Sequence, residues 1–465
     1  MPSYAKISPN HLENLIELLG KEAVFTDPQI LTLYGKDETE DLNYPPEVVV
    51  KPKEEDQISR ILKWANQKLI PVTPRAGGTG LSGGALPVRG GVVLSLEKLN
   101  QILEIDSDNF MARVQPGVIT QKFQEKVEEQ GLFYPPDPAS RGSCHLGGNL
   151  AECAGGPRAV KYGVTRDYVT GIRAVLPTGE RIGYGGKLYK NVTGYNLAQL
   201  LIGSEGTLGI ITEITVRLLA LPRFKATLLA PFDRLEDAAN AVCKVFQEKN
   251  NPSAIELMEQ AAIQASVNYL NKSYPHMEAK AHLLLEIDAM EKEEIDHQLN
   301  KLSQLLMKSK AKDVLLADAE EKQQELWSLR RAIGEAIRSI SVYKEEDTVV
   351  PRKNLPDLIS GVKKISQKYG IRSITYGHAG DGNIHVNILK DEMEDEKWQK
   401  ILKVAITEIF ELTVSLGGTI SGEHGIGLTQ KPFLPIACSQ EEIKLMQRIK
   451  QAFDPNNILN PGKLF

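Results

Sequence analysis

The chain has few cysteines, little net charge and no long apolar run, and each absence argues against a class of protein. Its 465 residues include only four cysteines, and no two of them form a CxxC pair. Scattered cysteines predict reduced thiols in a cytoplasmic protein and argue against a cysteine-rich zinc or iron–sulfur site. The formal net charge of −5 offers no basic surface field for nucleic acid. No apolar run reaches the length of a membrane span, and the first residues lack the apolar core of a signal peptide.

The most informative segment that is present is the glycine-rich run Pro74–Gly84. It holds five glycines directly behind a short apolar strand. Glycine tolerates positive φ values and brings no side chain, so the backbone N–H groups of such a loop can converge on an anion. The run therefore predicts a site for a phosphorylated cofactor.

Two other interpretations of this loop are open from the residues alone. Gly78–Gly83 spells the dinucleotide fingerprint GxGxxG, but a Rossmann loop has to open directly into a helix. Here Pro87, Gly90 and Gly91 follow, and then the strand-like run Val92–Leu96, which disfavours such a helix. A glycine-rich surface loop without a ligand is the second alternative.

The length of the chain and the change in its pattern of predicted elements after residue 221 predict two or three domains. We expect an N-terminal domain at 1–221, whose first helix has Ser8 as its N-cap and Pro9 at its first position. Residues 222–420 alternate strand-like runs with long amphipathic helices, which predicts an antiparallel sheet with helices on one face. Residues 421–465 carry a last helix and an Asn/Pro-rich tail, which we expect to pack back onto the first domain.

Two histidines flank a predicted hairpin turn in the second domain. Asp381-Gly382 is a strong signal for a two-residue turn, and that turn would place His378 directly opposite His385. Directly opposed side chains share a sheet face with Cβ atoms about 4.5–5.5 Å apart, which allows two imidazoles to bind one metal ion. Two unrelated histidines packed on a sheet are the alternative.

Further residues would complete this predicted metal site. The same pairing sets Tyr376 opposite Asn387, so that Asn387 lines the site. In the extended run 417–427, Glu423 and His424 point to opposite sides, so Glu423 could face the metal and His424 a space beside it. Two histidines and one carboxylate leave coordination positions open, and iron(II), zinc and manganese are all compatible. An ordinary solvated acid is the alternative for Glu423.

An arginine on a predicted helix is the candidate for binding a substrate carboxylate. The helix predicted at 320–340 places Arg330 on the same face as Leu326, on the side that carries Trp327. A guanidinium on such an inward side suits a bidentate carboxylate clamp. Lys344, in a predicted loop after the helix, is a weaker candidate for the same task.

Taken together, these segments resemble one flavoprotein family. Similarity to the FAD site of the vanillyl-alcohol oxidase/p-cresol methylhydroxylase superfamily is carried by Pro74–Gly84, Gly147–Gly156 and Gly203–Thr212. The resemblance narrows to the FAD-linked D-2-hydroxyacid dehydrogenases, which include glycolate oxidase large subunits and D-lactate dehydrogenases. This narrowing is carried by Gly377–His385, Ser421–Gly427 and Asn457–Gly462.

The resemblance implies a fold and a set of cofactor ligands. The implied fold is α+β, with a two-lobed FAD-binding domain of the p-cresol methylhydroxylase type, a ferredoxin-like cap domain and a C-terminal helical segment. Some members of the superfamily attach flavin through a histidine, and His145 lies in the corresponding segment, but the rest of that segment implies non-covalent FAD. The residues implied to hold FAD are Arg75, Ala76, Gly77, Gly78, Thr79, Gly80, Leu81, Ser82, Pro136, Asp137, Ser143, Gly147, Gly148, Asn149, Gly155, Gly156, Gly163, Glu205, Gly206, Ile211 and Asn460.

The resemblance also implies roles in the chemistry. His378, His385 and Glu423 match the family's metal ligands, His424 its base, and Arg330 its carboxylate-binding arginine. The implied reaction oxidises a small D-2-hydroxy acid, D-lactate or glycolate, to the 2-keto acid, with the hydride passing to flavin N5. Because the chain has no cysteine cluster of its own, the electrons would pass to a quinone or to a partner. An iron–sulfur subunit or an electron-transfer flavoprotein is implied, and the protein would reach a membrane only through such a partner.

Three alternatives to this function are left open. D-2-hydroxyglutarate as substrate is disfavoured because Gly334, on the face of Arg330, offers no hydroxyl to a second carboxylate. An electron-relay or assembly subunit would hold FAD and turn over no substrate. A metal-dependent hydrolase would leave the glycine-rich loops without a purpose.

Overall fold

The computed structural model describes residues 4–465 and divides into two compact units. The first unit comprises the described residues up to Ala154, together with Val164–Leu221 and Glu423–Phe465. The second unit comprises Gly155–Gly163 and Pro222–Gly422. The short segment 155–163 therefore lies in the second unit, although its sequence position falls within the range 1–221 expected for the first domain. Within residues 4–465, no helix has both the length and the hydropathy that crossing a membrane would require.

Helices and strands are interspersed along the whole described chain. The α-helices are α1 Pro9–Leu19, α2 Pro28–Tyr34, α3 Glu55–Lys68, α4 Thr120–Glu128, α5 Leu146–Glu152, α6 Ala159–Tyr162, α7 Leu197–Leu201, α8 Leu235–Gln247, α9 Gln260–Leu270, α10 Lys292–Lys308, α11 Glu320–Arg331, α12 Ile333–Arg338, α13 Leu355–Tyr369, α14 Asp395–Ser415, α15 Leu434–Ala437 and α16 Gln440–Phe453. The strands are β1 Val24–Phe25, β2 Val48–Val50, β3 Val72–Arg75, β4 Val92–Ser95, β5 Ile102–Asp106, β6 Met111–Val114, β7 Leu132–Phe133, β8 Val169–Val175, β9 Arg181–Gly185, β10 Ile210–Arg217, β11 Leu219–Ala220, β12 Phe224–Phe232, β13 Ala254–Glu259, β14 Ala281–Ala289, β15 Leu315–Ala317, β16 Tyr343–Val349, β17 Arg372–Gly377 and β18 Asn383–Leu389.

The first unit contains two larger sheets and one short strand pair. Four strands in the order β1-β2-β4-β3 form the first sheet, in which β4 runs parallel to both β2 and β3. Val48, Val50 and Val92 pack in one core with the apolar face of α3, whereas Val49 and Val93 belong to a second cluster with Tyr34 of α2. Parallel strands buried on both faces read as continuous apolar runs, which is the pattern of β2. The order β5-β6-β10-β8-β9 forms the second, antiparallel sheet, and β7 pairs with β11.

The C-terminal tail of the first unit closes against β3. Val72 donates its N–H to the carbonyl of Ile458, and the N–H of Asn460 donates to the carbonyl of Val72. Lys450 of α16 is buried and donates to Asp454 and to the carbonyl of Leu459. These contacts fix the tail as part of the unit that carries the glycine-rich loop.

One seven-stranded antiparallel sheet, in the order β15-β12-β14-β13-β17-β18-β16, organises the second unit. The expected placement of helices on one face is wrong, because both faces are covered. On one face Ser373 of β17 hydrogen-bonds Ser366 of α13 at 2.8 Å. On the other face Ile374 and Tyr376, which alternate with Ser373 along the strand, pack in one apolar cluster with residues of α9 and α12. Because successive strand residues point to opposite sides, the two groups of helices lie on opposite faces.

Local signals predicted some elements well and missed others. Helix α1 begins after Ser8, whose side chain accepts from the N–H of His11, and ends before Gly20, as its capping signals indicate. Strands β13 and β16 and helix α9 were not predicted. The segment of Lys344 is strand β16 rather than the expected loop, because it pairs along its full length with β18. Its acidic residues lie at buried positions that composition alone does not favour for a strand.

Candidate functional site

The glycine-rich loop joins β3 to β4 in the first unit. No helix lies between the two strands, which contradicts the Rossmann alternative, since that fold needs a helix directly after the loop. Gly78 has φ +71°, the left-handed region that a side chain would strain. A Cβ built at Gly80 would meet nothing within 4 Å, because this glycine faces an open cavity. A glycine-rich loop that borders a cavity and contains a residue with positive φ has the features of an anion cradle.

The cavity beside this loop gathers many of the predicted cofactor residues. It is lined by residues of the first unit alone. The predicted residues that line it are Arg75, Ala76, Gly77, Gly78, Thr79, Gly80, Leu81, Gly147, Gly148, Asn149, Glu205, Gly206 and Ile211, together with Glu423 and His424. His145 also lines the cavity, and burial lowers its pKa. A cavity bordered by a glycine-rich loop fits a phosphorylated cofactor.

Several other predicted cofactor residues support the wall instead of lining it. The carbonyl of Ser82 accepts from the N–H of Leu428 at 2.7 Å, and Asn460 donates to the carbonyls of Gly84 and Glu205 at 2.9 and 2.8 Å. Asn460 thereby ties two cavity segments together. The remaining members of the predicted set do not line the cavity. Pro136, Asp137 and Ser143 belong to the first unit, where the carbonyl of Ser143 lies behind Gly77, and Gly155, Gly156 and Gly163 belong to the second unit.

The carboxylate of Glu205 holds the loop that carries His424. Its two oxygens accept from the N–H groups of Ile426 and Gly427, both at 2.7 Å. Gly425 lies between two acids, since a Cβ there would come within 2.3 Å of Glu152 Oε2 and 3.0 Å of Glu205 Oε1. Sequence reasoning assigned Glu205 to the cofactor, whereas the structure shows its side chain engaged with the backbone of this loop.

Glu152, which is partly buried, and Glu205, which is buried, form an acidic pair that lines the same cavity. Burial raises the pKa of Glu205 from 4.5 to about 7, although the two backbone N–H groups act to lower it. Burial and the charge of Glu205 raise the pKa of Glu152 well above its usual range. The other charges that act on the pair are those of Asp37 and Lys463. Nothing in the sequence marked Glu152, because only the fold brings the two acids together.

This pair predicts a fall in stability with rising pH. A carboxyl group whose pKa is higher in the folded state binds more protons there than when unfolded, so the free energy of unfolding falls as the pH rises from 4.5 to about 7. Glu152→Gln should reduce this slope and raise the stability at pH 8 by at least about 1 kcal/mol, since one pKa unit is worth about 1.4 kcal/mol. Thermal unfolding between pH 5 and 8 measures the effect, with the exposed Glu128→Gln as the control. Equal slopes in both variants would contradict the assignment.

In the second unit the two predicted metal-binding histidines lie side by side. Their ring centroids are 5.4 Å apart with an interplanar angle of 84°, and both side chains are buried. The predicted register is wrong, however, because Tyr376 rather than His378 pairs with His385. The connection is a longer loop: Asn383 donates its N–H to the carbonyl of His378, and Gly380 donates to the carbonyl of Ile255 on β13. The rings still meet because His378 directly follows the last residue of β17.

A buried carboxylate fixes one of these histidines. Glu256 Oε1 lies 2.7 Å from Nδ1 of His378, and Glu256 Oε2 accepts from Nε of Arg330 at 2.6 Å. Burial acts to raise the pKa of Glu256, but the opposing effect of Arg330 and His378 is larger and lowers this pKa from 4.5 to about 2. An ionised carboxylate can only accept, so Nδ1 of His378 carries the proton and Nε2 presents its lone pair. That nitrogen is a metal-ligand atom, and a two-imidazole donor set fits a divalent transition metal.

The second histidine lies among acids of β16. His385 Nδ1 is 3.4 Å from Glu345 Oε1 and 3.7 Å from Asp347 Oδ1. Asp347 Oδ2 accepts from the N–H of Gly422 at 2.7 Å, which anchors the residue that precedes Glu423 in the chain. Glu345 pairs in register with Asn387, which is fully buried and lies on the same strand face as His385.

The structure corrects two expectations about substrate binding. Arg330 is buried on the Trp327 side as expected, but Glu256 occupies the edge formed by its Nε and Nη2, the latter at 2.5 Å. The expected clamp can therefore use only the remaining Nη1–Nη2 edge. Lys344 alternates with Glu345 along β16 and so lies on the opposite sheet face from Asn387. The structure does not bring Lys344 to the histidine pair.

Comparisons with known proteins agree with this architecture. A family model described as an FAD binding domain matches residues 46–184, and one described as FAD linked oxidases, C-terminal domain, matches residues 221–464. These matches confirm the predicted FAD cofactor. The p-cresol methylhydroxylase structure with substrate bound aligns with a TM-score of 0.81 at 18% identity, covering 97% of this chain and 96% of that one. The predicted fold is thereby confirmed.

Curated relatives match across almost the entire length. The glycolate oxidase subunit GlcD of Bacillus subtilis (strain 168) is 41% identical, covering 97% of this chain and 96% of the relative. The D-lactate dehydrogenase of Anaerostipes hadrus is 36% identical, covering 99% and 98%. The D-2-hydroxyglutarate dehydrogenase of Stutzerimonas stutzeri (strain A1501) is 35% identical, covering 98% and 99%. The chain belongs to the family of FAD-linked oxidases.

Proposed function

We propose that the protein oxidises a small D-2-hydroxy acid, D-lactate or glycolate, to the 2-keto acid with FAD and a divalent metal ion. The observation that carries the proposal is that His424 lines the same cavity as the glycine-rich loop, so a basic side chain borders the space that fits the cofactor. Relatives named for glycolate and D-lactate oxidation support the substrate class.

Each group at the site has one task in this proposal. FAD, when bound, supplies a hydride acceptor, and the metal ion supplies Lewis acidity toward a substrate oxygen. His424 takes the hydroxyl proton of the substrate as general base. The Nη1–Nη2 edge of Arg330 binds the substrate carboxylate. The amide of Asn387 borders the substrate from the sheet face that also carries His385. His378, His385 and Glu423 hold the metal, with Glu423 carried over from the sequence pattern.

The finer parts of the proposal concern substrate size and electron transfer. Gly334 has no hydroxyl for a second carboxylate, and a Cβ there would lie 3.4 Å from the hydroxyl of Tyr376, which favours small acids. The reduced cofactor would pass its electrons to a quinone or to a partner protein, an iron–sulfur subunit or an electron-transfer flavoprotein. The relative named as a subunit supports an assembly of this kind. The cytoplasmic location remains a prediction.

An anaerobic substrate panel tests the proposed function. The FAD-loaded protein is mixed with D- and L-2-hydroxy acids, with and without added Mn²⁺ or Zn²⁺, and flavin bleaching is recorded. We expect bleaching by D-lactate or glycolate, faster with metal, and none by L-lactate. A protein that binds FAD and is bleached by no hydroxy acid would instead be an electron-relay or assembly subunit.

A further inference from the structure

We infer that Glu256 is a positioning residue whose carboxylate fixes the orientations of two side chains, the metal ligand His378 and the substrate-binding Arg330. The inference rests on the proposed function, because His378 and Arg330 have their roles there. The contacts that carry it all lie within the second unit. Glu256 lies on β13, more than 70 residues from either partner, and no sequence motif pointed to it.

The carboxylate divides its two oxygens between two partners. Oε1 lies 2.7 Å from Nδ1 of His378, while Oε2 lies 2.6 Å from Nε and 2.5 Å from Nη2 of Arg330. Glu256 is fully buried, and Arg330 and His378 are 5% and 4% exposed. A charged group buried to this extent is stable only when it is paired and hydrogen-bonded. The three side chains therefore form one hydrogen-bonded cluster, in which a shift of one side chain displaces the other two.

The contact with His378 selects one imidazole tautomer. Because the carboxylate accepts and cannot donate, the proton stays on Nδ1 and the lone pair stays on Nε2. A carboxylate on the far nitrogen also orients the ring and makes the metal-binding nitrogen more basic. His385 presents its ring at 84° to that of His378, so a fixed orientation of His378 decides whether both imidazoles can share one ion.

The contact with Arg330 sets which edge of the guanidinium can meet a substrate. Glu256 takes the Nε and Nη2 side, and the ring of Tyr376 lies 4.8 Å from the guanidinium carbon. A guanidinium packed on an aromatic face and paired along one edge has a fixed orientation. A substrate carboxylate then meets the Nη1–Nη2 edge at a fixed angle. Loss of Glu256 should therefore impair metal binding and substrate binding together.

Glu256→Gln tests this double role because an amide cannot satisfy both partners. If its NH₂ group faces His378, the favoured tautomer becomes Nε2–H, which cannot bind a metal. If the NH₂ group faces Arg330, two donors oppose each other. We expect the dissociation constant for Zn²⁺, measured by titration of the FAD-loaded protein without substrate, to rise about 10–100-fold. We also expect KM for the hydroxy acid to rise by at least about tenfold.

The matched control is Glu259→Gln on the same strand. Glu259 accepts hydrogen bonds from Lys363 and from Thr375. Because it lies three residues after Glu256 on the same strand, its side chain points to the opposite face of the sheet. Its substitution also removes a carboxylate that forms an ion pair on this strand, although a more exposed one, and metal affinity should stay within about threefold of the wild type. A Glu256→Gln protein that binds Zn²⁺ as tightly as this control would overturn the inference.

A second measurement on the wild-type protein stands even if Glu256→Gln fails to fold. The ¹⁵N shifts of the imidazole of His378, assigned by comparison with His378→Gln, report its tautomer directly in the metal-free protein. Nδ1–H supports the inference, and Nε2–H overturns it. This readout needs no turnover, so a protein with the Nδ1–H tautomer that oxidises no hydroxy acid would refute the proposed function and leave the positioning role intact.

Discussion

Replacing His424 by glutamine should lower kcat by a factor of about 10² to 10⁴, the usual contribution of a general base. The side chain lines the cofactor cavity, and Glu205 holds the backbone two residues further along the loop. Glutamine keeps the approximate size of the imidazole and removes its proton-accepting function. Flavin content and metal content should stay unchanged, since His424 is assigned to neither. Anaerobic stopped-flow reduction of the flavin by the best substrate measures the loss.

Two further variants separate the base from its neighbours. His297→Gln changes an exposed histidine on α10 and should leave kcat unchanged. Glu423→Gln should lose metal as well as activity, because the adjacent acid is proposed to be a ligand. If His424→Gln keeps kcat within about tenfold of the wild type while holding FAD and metal, the base lies elsewhere.

The sequence predicted those features that depend on neighbouring residues in the chain. The glycine-rich loop follows from the steric freedom of glycine alone, and helix α1 was predicted because its cap, Ser8, and its terminating Gly20 are adjacent to it. The histidine pair was also found, but its register was not. Asp381-Gly382 predicts a tight turn, whereas the hydrogen bond from Gly380 to the neighbouring strand β13 draws the chain into a longer loop.

The missed features all depend on contacts between distant residues. Glu256 and Glu152 are isolated acids in the sequence, and only the fold gives each a partner. Glu205 was found through a resemblance, yet its carboxylate binds the N–H groups of Ile426 and Gly427, more than 200 residues away. Strand β16 was missed because its polar composition gives no sign that it pairs with β18 at the edge of the sheet, where most of its residues are buried. In each case tertiary contacts override the local pattern.

The second large effect concerns the glycine-rich loop. Gly80→Leu should weaken FAD binding by about 100-fold, so that the protein purifies mainly without flavin. Gly80 has no positive φ, and its Cβ position is open, so the backbone accepts a side chain without strain. The added side chain would extend into the cavity and hold the phosphates away from the backbone N–H groups. Loss of two charge-assisted hydrogen bonds at roughly 1.5 kcal/mol each corresponds to about 100-fold in affinity.

The control for Gly80→Leu is a glycine outside the cavity whose backbone conformation also accepts a side chain without strain. Gly183 on β9 is exposed, has no positive φ, and has only one atom, at 3.9 Å, near its Cβ position. Gly183→Leu should retain FAD, and both variants should unfold at similar temperatures when FAD has been removed. By contrast, Gly78→Ala would combine strain at φ +71° with a collision against Arg75, so it would not separate folding from binding. Normal flavin content in Gly80→Leu would show that the phosphates bind elsewhere, and the anion-cradle interpretation of the loop would then be wrong.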